Sequence, residues 1–149
     1  MDAYTKSFLL LVTLLNPFLM SIYLLDLIKD LEATTFMRVL ARGAAIAGAV
    51  FALFAWTGDA IFSRYLQVRF ASFQVFGGVV FLIIGIRFVF QGVETIRGLR
   101  GAPEHLAGSI AMPFMIGPGT VSASVVAGAR LPLLGAVAVI ATALVTTVV

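Results

Sequence analysis

Two short groupings in this sequence combine residue types that can bind a small solute inside a membrane. One is Asn16-Pro17. The other is Gly117-Pro118-Gly119-Thr120. Each interrupts a long apolar run. Proline lacks an N–H and its ring clashes with the preceding turn, so a helix breaks there. Pro17 frees the carbonyl of Thr13, Pro118 that of Phe114, and Pro113 that of Ser109. Two glycines flanking Pro118 make continuous helix costlier still. Freed carbonyls favour a cation or an ammonium, and the N–H groups that open the next half-helix favour an anion. One such site can hold both ends of a zwitterion. The candidate binding residues are Asn16, Pro17 and Ser21 at the first break, and Gly117, Pro118, Gly119, Thr120, Val121 and Ser122 at the second. Gly119, Thr120 and Val121 are expected to offer N–H groups to a carboxylate. Asn16 and the freed carbonyls are expected to take the ammonium.

The two breaks correspond. Placing Asn16-Pro17 on Gly117-Pro118 also aligns Ser21 with Ser122. Interrupted hydrophobic segments at matching positions of two halves point to a transporter's binding site. The plainer reading is that Pro and Gly are frequent in membrane helices, where neighbours absorb the kink. Hydroxyls on such helices commonly bond their own backbone, which is the competing role for Ser21, Thr120 and Ser122.

The elements that must position these residues follow from composition. Of 149 residues, 61% are hydrophobic and only 11% are charged. Mean hydropathy is +1.10. A soluble domain of this size must present far more polar surface to water. These values exclude an ordinary cytosolic enzyme domain, a disordered tail and a nucleic-acid-binding module. They point to a polytopic membrane protein. Apolar runs occupy residues 8–28, 43–58, 70–86, 106–129 and 131–149. A bilayer core needs about 20 apolar helical residues, so five helical segments are expected. The runs are too long, and lack the alternation, for barrel strands. The break in the fourth run leaves two pieces of about ten residues, each too short to span alone. The expected fold is all-α, a transmembrane helical bundle forming a single membrane domain over 1–149. A secretory signal peptide is disfavoured at the N-terminus, because no small-residue cleavage site follows the first run and Asn16-Pro17 interrupts it.

Charge gives orientation. The net charge of +3 is scattered through short connections with no basic block. The N-terminus and the even connections carry four cations; residues 29–42 and the third connection carry five, or six with Arg87. The positive-inside rule then places the N-terminus outside.

Other reactive chemistry is thin. There is no Cys and one His, His105, in a polar loop beside Pro103. No disulfide, thiolate nucleophile or Cys-ligated metal is available, and no metal site, cofactor or catalytic residue is expected. Asp26 and Asp59 fall near segment ends rather than at mid-depth, so they are not placed as intramembrane relays. The absence of a mid-depth carboxylate favours a neutral or zwitterionic solute. Gln74 reads as a hydrogen bond between helices. Gly43, Gly48, Gly77, Gly78 and Gly85 read as sites of close helix approach, with Gly77-Gly78 also able to admit a neighbouring backbone or a solute. Trp56 and Tyr65 read as interfacial anchors.

The two breaks, with Phe114-Met115-Ile116 leading into the second, resemble the MarC family of multispanning inner-membrane proteins. Gly58-Asp59 and the stretch Phe76-Gly77-Gly78-Val79-Val80-Phe81-Leu82-Ile83-Ile84-Gly85 resemble that family's second and third spans. The resemblance covers essentially the whole chain. It implies two inverted repeats, here about 1–100 and about 101–149, and six spans, so the second repeat is expected to lack its last helix. It also implies, as described for some members, transport of neutral amino acids. The leading expectation is a secondary transporter of a small neutral solute in the cell inner membrane, driven by H⁺ or Na⁺ and possible as a homo-oligomer. A non-transporting scaffold that binds a partner, or a channel with the fourth segment as a re-entrant hairpin, are the alternatives.

Overall fold

The computed structural model describes residues 2–58, 60–65, 67, 69–91 and 115–148. Among them the chain is built from six α-helices and no strand: α1 (Ala3–Leu15), α2 (Pro17–Asp30), α3 (Ala33–Thr57), α4 (Phe70–Gln91), α5 (Pro118–Arg130) and α6 (Leu133–Val148). This is the all-α architecture expected of a helical membrane protein. Three stretches are long and apolar enough to cross a bilayer: Ala3–Ile22, Ala33–Thr57 and Phe70–Gln91. His105, Asp59 and residues 106–114 of the fourth expected segment lie outside the described residues.

Local chemistry sets the ends of these helices. Asp2 caps α1, accepting from the backbone N–H of Thr5 at 2.9 Å. The Thr5 hydroxyl and this N–H hold the Asp2 carboxyl below its ordinary pKa. Asn16 then joins α1 to α2 with two functions. Its backbone is left-handed (φ 48°, ψ 76°), and its N–H donates to Val12 O at 3.1 Å, closing α1. Asparagine is among the few non-glycine residues that enter this region readily. Its Oδ1 accepts from Leu19 N–H at 3.2 Å and its carbonyl accepts from Met20 N–H at 3.1 Å, opening α2. Pro17 is the first residue of α2, where a missing N–H costs nothing. The break is therefore closed by its own residues.

The second break is built differently. Gly117 is extended (φ −124°, ψ 167°) and Pro118 opens α5. The hydroxyl of Thr120 accepts from Gly117 N–H at 2.9 Å and donates to Met115 O at 2.7 Å. Val121 N–H donates to Gly117 O at 2.9 Å, and the Ser124 hydroxyl donates to Thr120 O at 2.8 Å. Thr120 and Ser124 are buried, at 3% and 0% exposure. One threonine on the opening turn of α5 thus satisfies two backbone groups that precede Pro118.

The connection between the first and second expected segments is shorter than the 29–42 stretch read from the sequence. Helix α2 runs to Asp30, only Leu31 and Glu32 lie between the helices, and Arg38 and Arg42, four apart, share α3. At 25 residues α3 is about 38 Å long. The next connection contains a π-helical turn, Ile61–Tyr65. Phe62 anchors it, 3% exposed. Its ring lies 5.6 Å from Phe54, 5.0 Å from Phe70 and 4.8 Å from Phe73.

Helix α5 is the hub, packing against α3, α1, α4 and α6, while α6 also packs on α1 and α3. Leu11, Leu15, Phe51, Val121, Ala127, Ile140 and Ala143 form the buried centre. Small residues set the spacing, as expected where van der Waals contact drives helix association. A Cβ on Gly128 would lie 1.9 Å from the Ala55 carbonyl oxygen and 2.7 Å from its Cα. A Cβ on Gly77 would lie 2.1 Å from both Cβ and Cγ of Pro118. The close approach read at Gly77 thus falls on the second break itself. Helix α4 turns an apolar face outward, including Phe76, Leu82 and Phe90, which suits a lipid surround; Trp56, near the end of α3, is also exposed.

Two outcomes follow. Gly128→Ala forces the α3 and α5 backbones apart, so its thermal denaturation in detergent should begin well below that of wild type. Gly85→Ala, where nothing lies within 4 Å of the added carbon, should leave the transition unchanged; equal transitions for the two variants would refute the crossing. Thr120→Val leaves the Gly117 N–H and the Met115 carbonyl unpaired and should cost about 2–4 kcal/mol. Thr120→Ser, which keeps the hydroxyl, should cost less than half as much in the same melts.

Candidate functional site

A cleft of about 370 Å³ opens at the start of α5. Its walls are Leu10 and Leu14 of α1, Gln74 and Gly78 of α4, and Pro118, Gly119, Ser122, Ala123 and Val126 of α5. It lies in the lower part of the size range of small-molecule sites, and its lining, mostly apolar with few polar groups, is of the usual kind. Among the described residues, none that lines it is ionisable. A full charge would therefore enter without a counter-charge, at high desolvation cost. A solute of zero net charge, with polar ends, suits these walls better.

Three elements hold the cleft together. Gly77 lets α4 close onto the Pro118 ring, which fixes α4 beside the opening turn of α5. Leu14 reaches across from α1, its Cδ2 3.4 Å from where a Cβ on Gly119 would lie. Gln74 donates from Nε2 to the Ser122 hydroxyl, joining α4 to α5 across the cleft. This is the interhelical bond read from the sequence.

The backbone adds two donors. The first N–H groups of a helix have no partner within it. Pro118 has none to offer, and that of Val121 is bonded to Gly117 O. The N–H groups of Gly119 and Thr120 are the pair that α5 itself cannot use.

The nine sequence-named candidates therefore separate. Pro118, Gly119 and Ser122 line the cleft. Gly117, Thr120 and Val121 are buried beneath it, holding the break closed. Asn16 is exposed and its Oδ1 is engaged by Leu19, while the Ser21 hydroxyl donates to Pro17 O at 2.8 Å. Asn16, Pro17 and Ser21 are not among the lining residues. The contact that joins the two breaks is Leu14, two residues before Asn16, against Gly119, two residues after Gly117. Gln74, Leu10 and Leu14 line the cleft without having been named as site residues. A glutamine one turn before Gly77-Gly78 in an apolar run was the available signal for the first. Nothing in a run of leucines distinguishes the other two.

Comparison with known proteins agrees with this architecture. A UPF0056 membrane protein of Aquifex aeolicus (strain VF5) is 23% identical over 129 residues, covering 80% of this chain and 58% of that protein. The chain thus spans somewhat over half the length of this curated relative. No solved structure matches it. The family model for MarC family integral membrane proteins matches residues 1–149. With its apolar helices and both helix breaks, this chain belongs to the MarC family of integral membrane proteins.

Proposed function

We propose that the chain acts as a secondary transporter of small neutral solutes, with zwitterionic amino acids as the substrate class. One observation carries this reading: a cleft of about 370 Å³, uncharged among the described residues, sits on the opening turn of a broken helix, where Gly119 lines it and the N–H groups of Gly119 and Thr120 have no partner within the helix. Those groups suit the carboxylate of an amino acid, and the helix dipole adds to the attraction. The apolar wall from Leu10, Leu14 and Val126 suits a short aliphatic side chain.

The paired breaks support the alternating-access part of the proposal. Both are an X-Pro step in which proline opens the following helix, with a serine four residues further on. Two such elements in corresponding places are the usual outcome of inverted repeats, in which one repeat rocks against the other. The protein would then lie in the cell inner membrane with the N-terminus outside. It would couple uptake to H⁺ or Na⁺ and use no catalytic chemistry.

Uptake of labelled glycine or L-alanine into vesicles containing the purified protein tests this. Wild type should accumulate the label saturably when an H⁺ or Na⁺ gradient is imposed. Gly119→Ala fits sterically beside Leu14 yet narrows the cleft at its donor end, so it should lower uptake at least tenfold while keeping the wild-type melting transition. Wild-type vesicles that take up neither amino acid, or a Gly119→Ala protein as active as wild type, would refute the assignment. Flux that neither saturates nor responds to a gradient would indicate a channel instead.

A further inference from the structure

The remaining question at the cleft is what meets the ammonium of a zwitterion. Asn16 is poorly placed for it. Its side-chain oxygen caps α2, and it does not line the cleft. Among the described residues no carboxylate lines the cleft either. An ammonium stripped of water needs hydrogen-bond acceptors in their place.

We infer that Gln74 is the specificity-determining residue of this site and that its side-chain carbonyl receives the ammonium of a bound amino acid. The inference rests on the transporter reading above and adds the residue that separates an amino acid from a simple carboxylate.

Three observations converge on it. Gln74 lines the cleft on the α4 wall, facing α5, the helix that carries the two unused N–H groups. Its amide is oriented, because Nε2 donates to the Ser122 hydroxyl. A primary amide held at its nitrogen keeps its oxygen, with two lone pairs, as the acceptor. Room is left beside it: Gly78, one turn further along α4, lines the same cleft, and nothing lies within 4 Å of where its Cβ would be. The Gly77–Pro118 contact fixes α4 against α5 and so sets the distance between the carbonyl and the donors. A solute bridging the two needs an ammonium and a carboxylate on one small skeleton. That describes an α-amino acid and excludes both the amine and the acid alone.

Competition against labelled L-alanine uptake in vesicles of the full chain tests this, with propionate and ethylamine as competitors lacking one end each. Wild type should prefer alanine to propionate by at least tenfold, the effect of one hydrogen bond to a charged group. Gln74→Leu should lose that preference, with KM for alanine raised at least tenfold and kcat little changed. Ser122→Ala removes the bond that orients the amide but keeps the Gln74 carbonyl, so it should weaken the preference less than Gln74→Leu does. Gln74→Glu, which supplies a carboxylate, should retain or increase it. If Gln74→Leu keeps the wild-type preference, or if Ser122→Ala loses it equally, Gln74 only joins the helices and the inference is overturned while transport stands. Absence of alanine uptake by wild type would overturn the transporter reading first, and this inference with it.

Discussion

A helix broken within a membrane must satisfy its own backbone, because lipid supplies no hydrogen bonds and each orphaned group costs several kcal/mol. The rest of this structure depends on how that requirement is met twice. At the first break Asn16 turns left-handed, closes α1 with its N–H and opens α2 with its side chain. At the second, the buried Thr120 hydroxyl accepts from Gly117 N–H and donates to Met115 O, both in the chain before Pro118. Proline occupies the first helical position after each, where it has no N–H to lose. The two breaks are stable because the polar groups they expose are few and mostly matched. The groups left over are the N–H of Gly119, which lines the cleft, and that of Thr120, buried beneath it.

That space exists because of packing. Helix α5 has only 13 residues, about 20 Å, and so cannot span alone. It is held by α1, α3, α4 and α6 around it. Glycine makes those approaches possible: Gly128 against the Ala55 backbone, Gly77 against the Pro118 ring. The same residues that pack the hub also position the cleft. A packing change at Gly77 would move α4, and Gln74 with it, relative to the opening turn of α5.

Much of this was legible in the sequence, for identifiable reasons. The all-α membrane class follows from hydropathy and run length. Both breaks follow from proline and glycine chemistry, which acts locally. The bonding of Ser21 to its own helix, and of Gln74 to another helix, were foreseeable from residue type. The connection at residues 29–42 is shorter than its polar residues suggest, because Arg, Lys and Glu are good helix formers and the helices continue beyond the apolar core; Arg38 and Arg42, four apart, lie in one helix. The partition of the candidates was not legible. Whether Asn16 faces a solute or caps a helix depends on three-dimensional placement, and the pairing of Gln74 with Ser122 spans 48 residues of chain.

The central claim is that the opening turn of α5 is a ligand-binding backbone, with the N–H groups of Gly119 and Thr120 as its donors. Amide NMR of the ¹⁵N-labelled protein in detergent, with and without saturating L-alanine, measures this most directly. The account predicts large shifts at Gly119 and Thr120 with slowed solvent exchange, and little change at Val121, whose N–H is already bonded to Gly117. Unchanged Gly119 and Thr120 signals, under conditions where alanine is demonstrably bound, would contradict it.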